Sequence, residues 1–359
     1  MRVAIIHDVL VEYGGAERVL QSFLRLYPTA HVYTAYKDEV MVREFFPPLN
    51  KNNLHCSPIQ TLRLGKYGYL FQFLAPLIWG RLHLEQYDVV ISSSAFWLSN
   101  TINVKHPVHI QYIHCPPKNL FNLCPKTKIQ KLLPLTSILA WSYIKSLRRY
   151  QNIIVNSKHM QQTMRSICGV PSEVIYPPVI IPPHPALHNK GDYYIAVSRL
   201  DNTKGLELMI SACNRMRAPL KIVGAGSDGR YIQHLYSLAG PTIEFTGRLS
   251  DKKIHHLYKN AIAFLFTPKE EDFGIAPLEA ISYGVPVIAH YGGGAKETLK
   301  NRKTGLFFYS YTIEALVHTM QNLKPQQFIP TSLYDYAKQF HRERFEREMK
   351  HYIEGVIRR

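Results

Sequence analysis

Glu271 and Glu279 are the carboxylates whose spacing suggests the most chemistry. They lie in Pro268-Lys-Glu-Glu-Asp-Phe-Gly-Ile-Ala-Pro-Leu-Glu-Ala280, between an apolar run, Ile262–Phe266, and a helical pattern that starts near Gly274. Glu271 precedes that helix. Glu279 falls eight positions later, about two helical turns deeper, so the pair reaches different parts of one elongated ligand. Carboxylates accept hydrogen bonds, which suits ribose and sugar hydroxyls. The N–H groups of Phe273, Gly274 and Ile275 add donors at the helix start. The plainer reading is that acidic residues there complement the helix dipole. Arg199 and Lys204, five apart in Val197-Ser-Arg-Leu-Asp-Asn-Thr-Lys-Gly205, are the cationic counterpart. Two cations at a strand end can clamp two phosphates, the arginine in fork fashion. Two solvated surface charges are the alternative.

Glycines mark other strand ends. Gly14 and Gly15 in Val11-Glu-Tyr-Gly-Gly-Ala-Glu-Arg18 open a helix whose N-terminus favours an anion; a tight strand-to-helix turn is the competing reading. The motif is not GxGxxG, and only Asp38 stands near the place of a ribose-binding acid, so a dinucleotide fold is poorly supported. Gly224 in Val223-Gly-Ala-Gly226 and Arg248 in Phe245-Thr-Gly-Arg-Leu249 close two further runs. His114, in Tyr112-Ile-His-Cys-Pro-Pro117, closes another; a lone strand-end histidine more often serves structure. Apart from Asp272 beside Glu270 and Glu271, no acidic cluster is placed for Mg²⁺, so chemistry without a metal or other cofactor is expected.

The elements that must position these residues are short β-branched runs alternating with helical patterns. Val3–Ile6, Val89–Ser92, His109–Ile113 and Ile153–Val155 read as buried strands of one sheet. Tyr193–Val197, Leu220–Val223, Ile243–Thr246, Ile262–Phe266 and Val285–Ala289 read as a second. Such alternation predicts parallel sheets covered on both faces. Between the sets, Tyr176–Pro185 holds five prolines in ten residues and reads as a linker. The fold expected is α/β: two doubly wound Rossmann-like domains across a cleft, with ligands outside the carboxyl ends of the strands.

The 359 residues suit two domains, and 46% hydrophobic against 19% charged residues excludes a disordered chain. A formal net charge of +17 calls for an anionic partner. The five cysteines form no CxxC pair, which argues against a zinc ribbon or disulfide framework and for a reduced compartment. The first apolar run is too short for a signal peptide. The runs Tyr69–Trp79 and Leu132–Ile144 are too short to span a bilayer and each holds a proline. No acidic residue lies between Asp88 and Glu173, while ten Lys or Arg do. There Ile129, Leu132, Leu133, Ala140, Tyr143, Ile144 and Leu147 share one helical face, opposite Lys128, Lys131, Lys145, Arg148 and Arg149, with Pro134 dividing two helices. That basic face is either solvated or docks on an anionic membrane surface. Nucleic acid is not the expected partner, because no recognised module accompanies the charge.

Taken in order, Gly14-Gly-Ala-Glu-Arg18, Arg199…Lys204-Gly205, Glu271-Asp-Phe-Gly-Ile…Glu279-Ala, Gly284-Val-Pro-Val-Ile288 and Gly293-Gly-Ala-Lys-Glu297 resemble the retaining glycosyltransferases of family 4, which have the GT-B fold. The resemblance covers nearly the whole chain and is strongest over 193–309. It implies that Arg199 and Lys204 clamp the diphosphate of a nucleotide sugar, that Glu279 binds the ribose, and that Glu271 with the N–H groups of Phe273 to Ile275 grips the donor sugar. It places Gly15 against the phosphates and His114 toward the sugar. Gly14, Gly224 and Arg248 complete the expected donor-binding set, with Arg199, Lys204, His114 and Glu271 as the catalytic one. The segment Tyr334-Asp-Tyr-Ala-Lys-Gln-Phe340 is similar to the family's last helix, which implies domains of 1–180 plus 333–359, and 186–332.

The N-terminal half, through Tyr33-Thr-Ala-Tyr-Lys37, Tyr87-Asp-Val-Val-Ile-Ser-Ser-Ser94 and Ile113-His-Cys-Pro-Pro-Lys118, is similar to bacterial polysaccharide and O-antigen mannosyltransferases. That implies GDP-mannose as donor, a UDP-sugar being the alternative, and a lipid-linked or glycan acceptor at the cytoplasmic face of a membrane. A nucleotide-sugar epimerase and a basic adaptor binding lipid or nucleic acid are the competing functions.

Overall fold

The computed structural model describes residues 1–62, 74–95, 99–102, 108–121, 123, 133–149, 151–185 and 191–358. The chain divides into two units, Met1–Pro178 with Glu343–Arg359, and Val179–Arg342. Each is a Rossmann-like α/β unit built on one parallel sheet. Among the described residues, no helix is long and apolar enough to cross a membrane.

The first unit carries β1 (Val3–His7), β2 (His31–Thr34), β3 (Leu54–Cys56), β4 (Val89–Ser94), β5 (Val108–Ile113), β6 (Ile153–Val155) and β7 (Glu173–Val174). Their order is β3-β2-β1-β4-β5-β6-β7, so the winding reverses between β1 and β4. Its helices are α1 (Gly15–Leu26), α2 (Glu39–Phe45), α3 (Ala75–Trp79), α4 (Leu133–Arg149) and α5 (Lys158–Cys168). Successive strand residues point to opposite faces, and both faces are covered. Val3 and Ile5 pack with Val19, Leu20 and Phe23 of α1. Ala4 and Ile6 belong to the opposite cluster with Leu139, Tyr143 and Leu147 of α4. This is why β1 is apolar from Val3 to Ile6. Helix α4 holds Pro134 in its first turn, where a missing N–H costs nothing. The sequence reading places a further helix before Pro134; residues 128–132, like Lys105, Lys126 and the start of the Tyr69 run, lie outside the described residues.

The second unit carries β8 (Tyr193–Val197), β9 (Leu220–Val223), β10 (Ile243–Gly247), β11 (Ala261–Phe266), β12 (Val287–His290) and β13 (Gly305–Phe308) in the order β10-β9-β8-β11-β12-β13. The winding reverses between β8 and β11. Its helices are α6 (Leu206–Met216), α7 (Gly229–Leu238), α8 (Asp251–Lys259), α9 (Ile275–Ser282), α10 (Ala295–Thr298), α11 (Ile313–Asn322) and α12 (Pro330–Lys338).

Two boundaries differ from the sequence reading. Residues 333–342, expected with the first unit, lie in the second. Tyr336 of α12 donates to the Thr298 carbonyl at 3.0 Å and Phe340 meets Phe273 edge-on at 5.9 Å, so packing holds them there. The proline-rich segment is not a free linker beyond Pro178. Val179 and Ile181 are buried, Val179 donates its N–H to Phe340, and the Tyr334 hydroxyl faces the Pro182 and Pro183 carbonyls at 3.0 Å each.

The chain ends in α13 (Arg342–Ile357), whose Phe345, Met349 and Ile353 are fully buried in the core that α1 also serves. The Phe345 ring packs on Phe23 and Tyr112 at 5.7 and 5.8 Å. Arg344 donates to the Tyr176 carbonyl at 2.9 Å, and Arg25 pairs with Glu346 at 2.9 Å. Truncating a buried phenylalanine costs roughly 3–5 kcal/mol. Phe345→Ala is therefore expected to lower the unfolding free energy of the first unit, read from urea titration, by that amount; a loss below about 1 kcal/mol would show that α13 is not part of its core.

Candidate functional site

In the second unit the loops after β8 and β11 meet at the reversal of strand order, the usual place for a ligand in such a sheet. Lys204 follows β8 and Glu271 follows β11. Lys204 Nζ lies 2.7 Å from Glu271 Oε2, and both side chains are mostly buried, 16% and 23% exposed. Three features hold that pair. Gly205 has φ +66°, and a Cβ there would fall 2.6 Å from the Thr267 carbonyl oxygen. The Thr267 hydroxyl lies 3.1 Å from the Lys204 carbonyl and 2.9 Å from that of Gly205, tying one loop to the other. On the far side Gly293, at φ +51°, would place a Cβ 2.6 Å from the Glu271 nitrogen, and the next N–H, that of Gly294, donates to the Glu271 carbonyl at 2.7 Å. Backbone thus touches backbone around Glu271, and only glycine permits it.

The other expected residues take separate places along the same sheet edge. Arg199 is 61% exposed, with Asp201 3.5 Å from its guanidinium. Gly224 follows β9 and donates its N–H to the Gly247 carbonyl at 3.0 Å. Arg248 follows β10 and is exposed. Phe273 is a core residue, and its carbonyl accepts from the Thr298 hydroxyl at 3.3 Å. Gly274 is the N-cap of α9 and Ile275 its first residue. Glu279 is buried in α9. It is not two turns beyond Glu271, because residues 271–274 are not helical; it stands little more than one turn inside α9.

In the first unit His114 lies just past β5, and its carbonyl accepts from the Asn156 amide at 2.7 Å. His114 Nε2 lies 2.8 Å from Ser93 Oγ, Ser93 Oγ lies 3.0 Å from His7 Nδ1, and His7 Nε2 lies 3.3 Å from Glu17 Oε1. Glu17 Oε2 accepts the Gly14 N–H at 2.9 Å. Gly14 is the N-cap of α1 and Gly15 its first residue. Burial, with His7 adding to it, pushes the His114 imidazole far below its ordinary range, to about 3. The Asp8 carboxylate accepts the N–H groups of Ala95 and Ser99 at 2.7 and 3.0 Å, fixing the chain after β4.

Two family models meet at residue 181. Residues 13–181 match Glycosyltransferase Family 4, and residues 181–340 match Glycosyl transferases group 1. The chain belongs to the glycosyltransferases. Among relatives of this kind, the alpha-1,3/1,6-mannosyltransferase ALG2 of Kluyveromyces lactis is 25% identical over 362 residues, covering 83% of this chain and 71% of that protein. Human ALG2 is 27% identical over 187 residues, covering 43% of this chain and 45% of its own length, so the match spans under half of that relative. The GDP-mannose-dependent phosphatidylinositol monomannoside mannosyltransferase of Mycobacterium tuberculosis is 31% identical over 146 residues, 36% of this chain and 37% of that one. Among solved structures, Anabaena HepE with UDP and glucose has a TM-score of 0.73 at 17% identity, covering 98% of this chain and 99% of its own. That likeness identifies the fold as GT-B.

Within this glycosyltransferase the sequence reading had not singled out Thr267, Gly293 as a support of Glu271, or His7, Ser93 and Glu17. Only Glu17 carried a local signal, three residues after the N-cap Gly14, as in a capping box.

The buried His109 gives the first unit a pH signature. His109 is 3% exposed, sits 3.0 Å from Ser92 Oγ, and is pushed down by burial to about 3. Its folded value lies below its unfolded one, so its stabilisation is complete above about pH 6.5 and is lost as pH falls toward 3. Each such group contributes a slope of about 1.4 kcal/mol per pH unit in that window. Urea unfolding is expected to show stability falling below about pH 6.5, with His109→Asn flattening the decline. An unchanged slope in that variant would contradict a neutral buried His109.

Proposed function

We propose that this protein is a retaining glycosyltransferase that moves a hexose from a nucleotide sugar, mannose from GDP-mannose being the favoured donor, to a lipid-linked or polysaccharide acceptor. The Lys204–Glu271 pair carries the reading. A partly desolvated cation at the strand-order reversal is matched to a diphosphate, and the carboxylate it releases is matched to sugar hydroxyls. Arg199 is exposed and able to add a second positive charge. Glu279 is assigned to the ribose and His114 to the sugar.

The chemistry follows from those charges. The acceptor oxygen bonds to the anomeric carbon on the face that the diphosphate leaves, the bond from that carbon to the diphosphate oxygen breaks, and the acceptor proton passes to the departing diphosphate. Developing negative charge on the leaving group meets Lys204 and Arg199, and no protein nucleophile or resident metal is assigned a step. Mannose is favoured by the mannosyltransferase names of the ALG2 and mycobacterial relatives, and GDP by the mycobacterial one. A UDP-sugar is the second reading, because HepE holds UDP and glucose.

The acceptor side includes an anionic membrane surface at the cytoplasmic face. On α4, Ile138 and Trp141 are 61% and 62% exposed, Lys145 lies 4.8 Å over the Trp141 ring, and Arg148 and Arg149 follow on the same exposed side. An apolar wedge flanked by cations suits a headgroup layer.

Two outcomes are expected. Lys204→Ala should lower mannosyl transfer from GDP-mannose by at least about a hundredfold while the far-UV spectrum stays native; unchanged transfer would remove the diphosphate assignment. In flotation, the protein should rise with phosphatidylglycerol vesicles, less so in high salt, and Trp141→Ala with Lys145→Ala should abolish it. Equal binding to neutral vesicles would remove the electrostatic docking model.

A further inference from the structure

The four side chains Glu17, His7, Ser93 and His114 form one continuous hydrogen-bonded line from the N-terminus of α1 across the carboxyl ends of β1 and β4 to the end of β5. It runs across the reversal of strand order in the first sheet. Sequence separations of 10, 86 and 21 residues hide it from any local reading.

Chemistry gives the line a direction. A carboxylate only accepts, so His7 must place its proton on Nε2, facing Glu17. A neutral imidazole has a single N–H, so His7 Nδ1 is an acceptor, and the donor within reach is the Ser93 hydroxyl at 3.0 Å. That hydroxyl has one proton. Having given it to His7, Ser93 Oγ can only accept from its other neighbour, which is His114 Nε2 at 2.8 Å.

We propose that Glu17, acting through His7 and Ser93, holds His114 in the tautomer whose Nε2 carries the proton, so that Nδ1 presents a bare acceptor to a hydroxyl of the transferred sugar. The second half rests on the assignment of His114 to the sugar made above; the first half does not. Glu17, His7 and Ser93 are positioning residues, and their effect is to make His114 discriminate for a hydroxyl that donates. A sugar with hydrogen or fluorine at that carbon has no proton to give.

One isosteric change reverses the whole line. Glu17 Oε2 also accepts the Gly14 N–H at 2.9 Å, and a donor there needs an oxygen. In Glu17→Gln the amide oxygen stays on Gly14 and the NH₂ turns to His7. His7 Nε2 must then accept, its proton moves to Nδ1 and is donated to Ser93, and the Ser93 hydroxyl is donated to His114 Nε2. His114 finishes with the proton on Nδ1, a donor where the native enzyme has an acceptor.

The test is long-range proton–nitrogen NMR of the full chain labelled with ¹⁵N-histidine, in mildly alkaline buffer, the His114 signals being assigned by their loss in His114→Gln. An unprotonated ring nitrogen resonates far downfield of a protonated one. Native protein is expected to show Nδ1 bare and Nε2 protonated, and Glu17→Gln the opposite. Ser93→Ala cuts the line, so His114 should relax to a mixture of tautomers that Glu17→Gln no longer changes. Protonated Nδ1 in the native protein, or a native tautomer retained in both variants, overturns the proposal whatever the activity. Transfer by Glu17→Gln is expected to fall about ten- to a hundredfold, the effect of one misdirected hydrogen bond to substrate, with GDP affinity unchanged. A reversed tautomer with unchanged transfer would leave the line intact, overturn its action on the sugar, and with it the assignment of His114.

Discussion

Contact of backbone with backbone at the carboxyl edge of the second sheet is the constraint on which the rest depends. Gly205 against Thr267, and Gly293 against Glu271, leave no room for a side chain and bring the loops after β8 and β11 within hydrogen-bonding range. Only then can Lys204 and Glu271 meet at 2.7 Å, away from most of the solvent. Ions so placed are stable while paired, and removing one partner strands the other at a cost of several kcal/mol. A diphosphate and a sugar hydroxyl are partners of the right kind to replace each in turn. The glycine approach is therefore a condition of the proposed chemistry as well as of the turn.

The first unit solves a similar problem with side chains. His114 stands past β5, and its ring is fixed by a line of donors and acceptors that begins at a carboxylate on α1. Asp8 anchors the chain after β4 through two backbone N–H groups. Both devices sit where the strand order reverses, where diverging loops leave space for a ligand. Helix α13 bears on this because Phe345 packs on Phe23 and Tyr112, and Tyr112 meets the His114 ring edge-on at 5.1 Å. The chain's last helix thus supports the core directly beneath the residue assigned to the sugar.

What could be read from residue order follows a physical division. Central strands such as β1 and β11 are buried on both faces, so they appear as apolar runs. The strands β2, β3, β7 and β13 were not legible, because they are two to four residues long and β2 and β3 each carry a histidine. Lys204 and Glu271 were legible as a cation and an anion at strand ends. Their pairing was not, since 67 residues separate them. The basic face of α4 was visible in its spacing, yet the exposure of Ile138 and Trp141 was not, because periodicity assigns apolar residues to the core by default. The C-terminal boundary was misplaced by the ten residues 333–342, whose aromatic side chains pack on α9 and its neighbours.

Thermal denaturation in the presence of GDP, UDP or ADP tests the central claim, nucleotide-sugar recognition at the Lys204–Glu271 pair, most directly. A ligand that binds only the folded state must raise the melting temperature, by about 2.7 kcal/mol of added stability at a hundred times its Kd. The account predicts stabilisation by GDP above UDP and ADP in the native protein, and its loss in Lys204→Met. No shift with any of the three, or an equal shift in native and Lys204→Met protein, would contradict it.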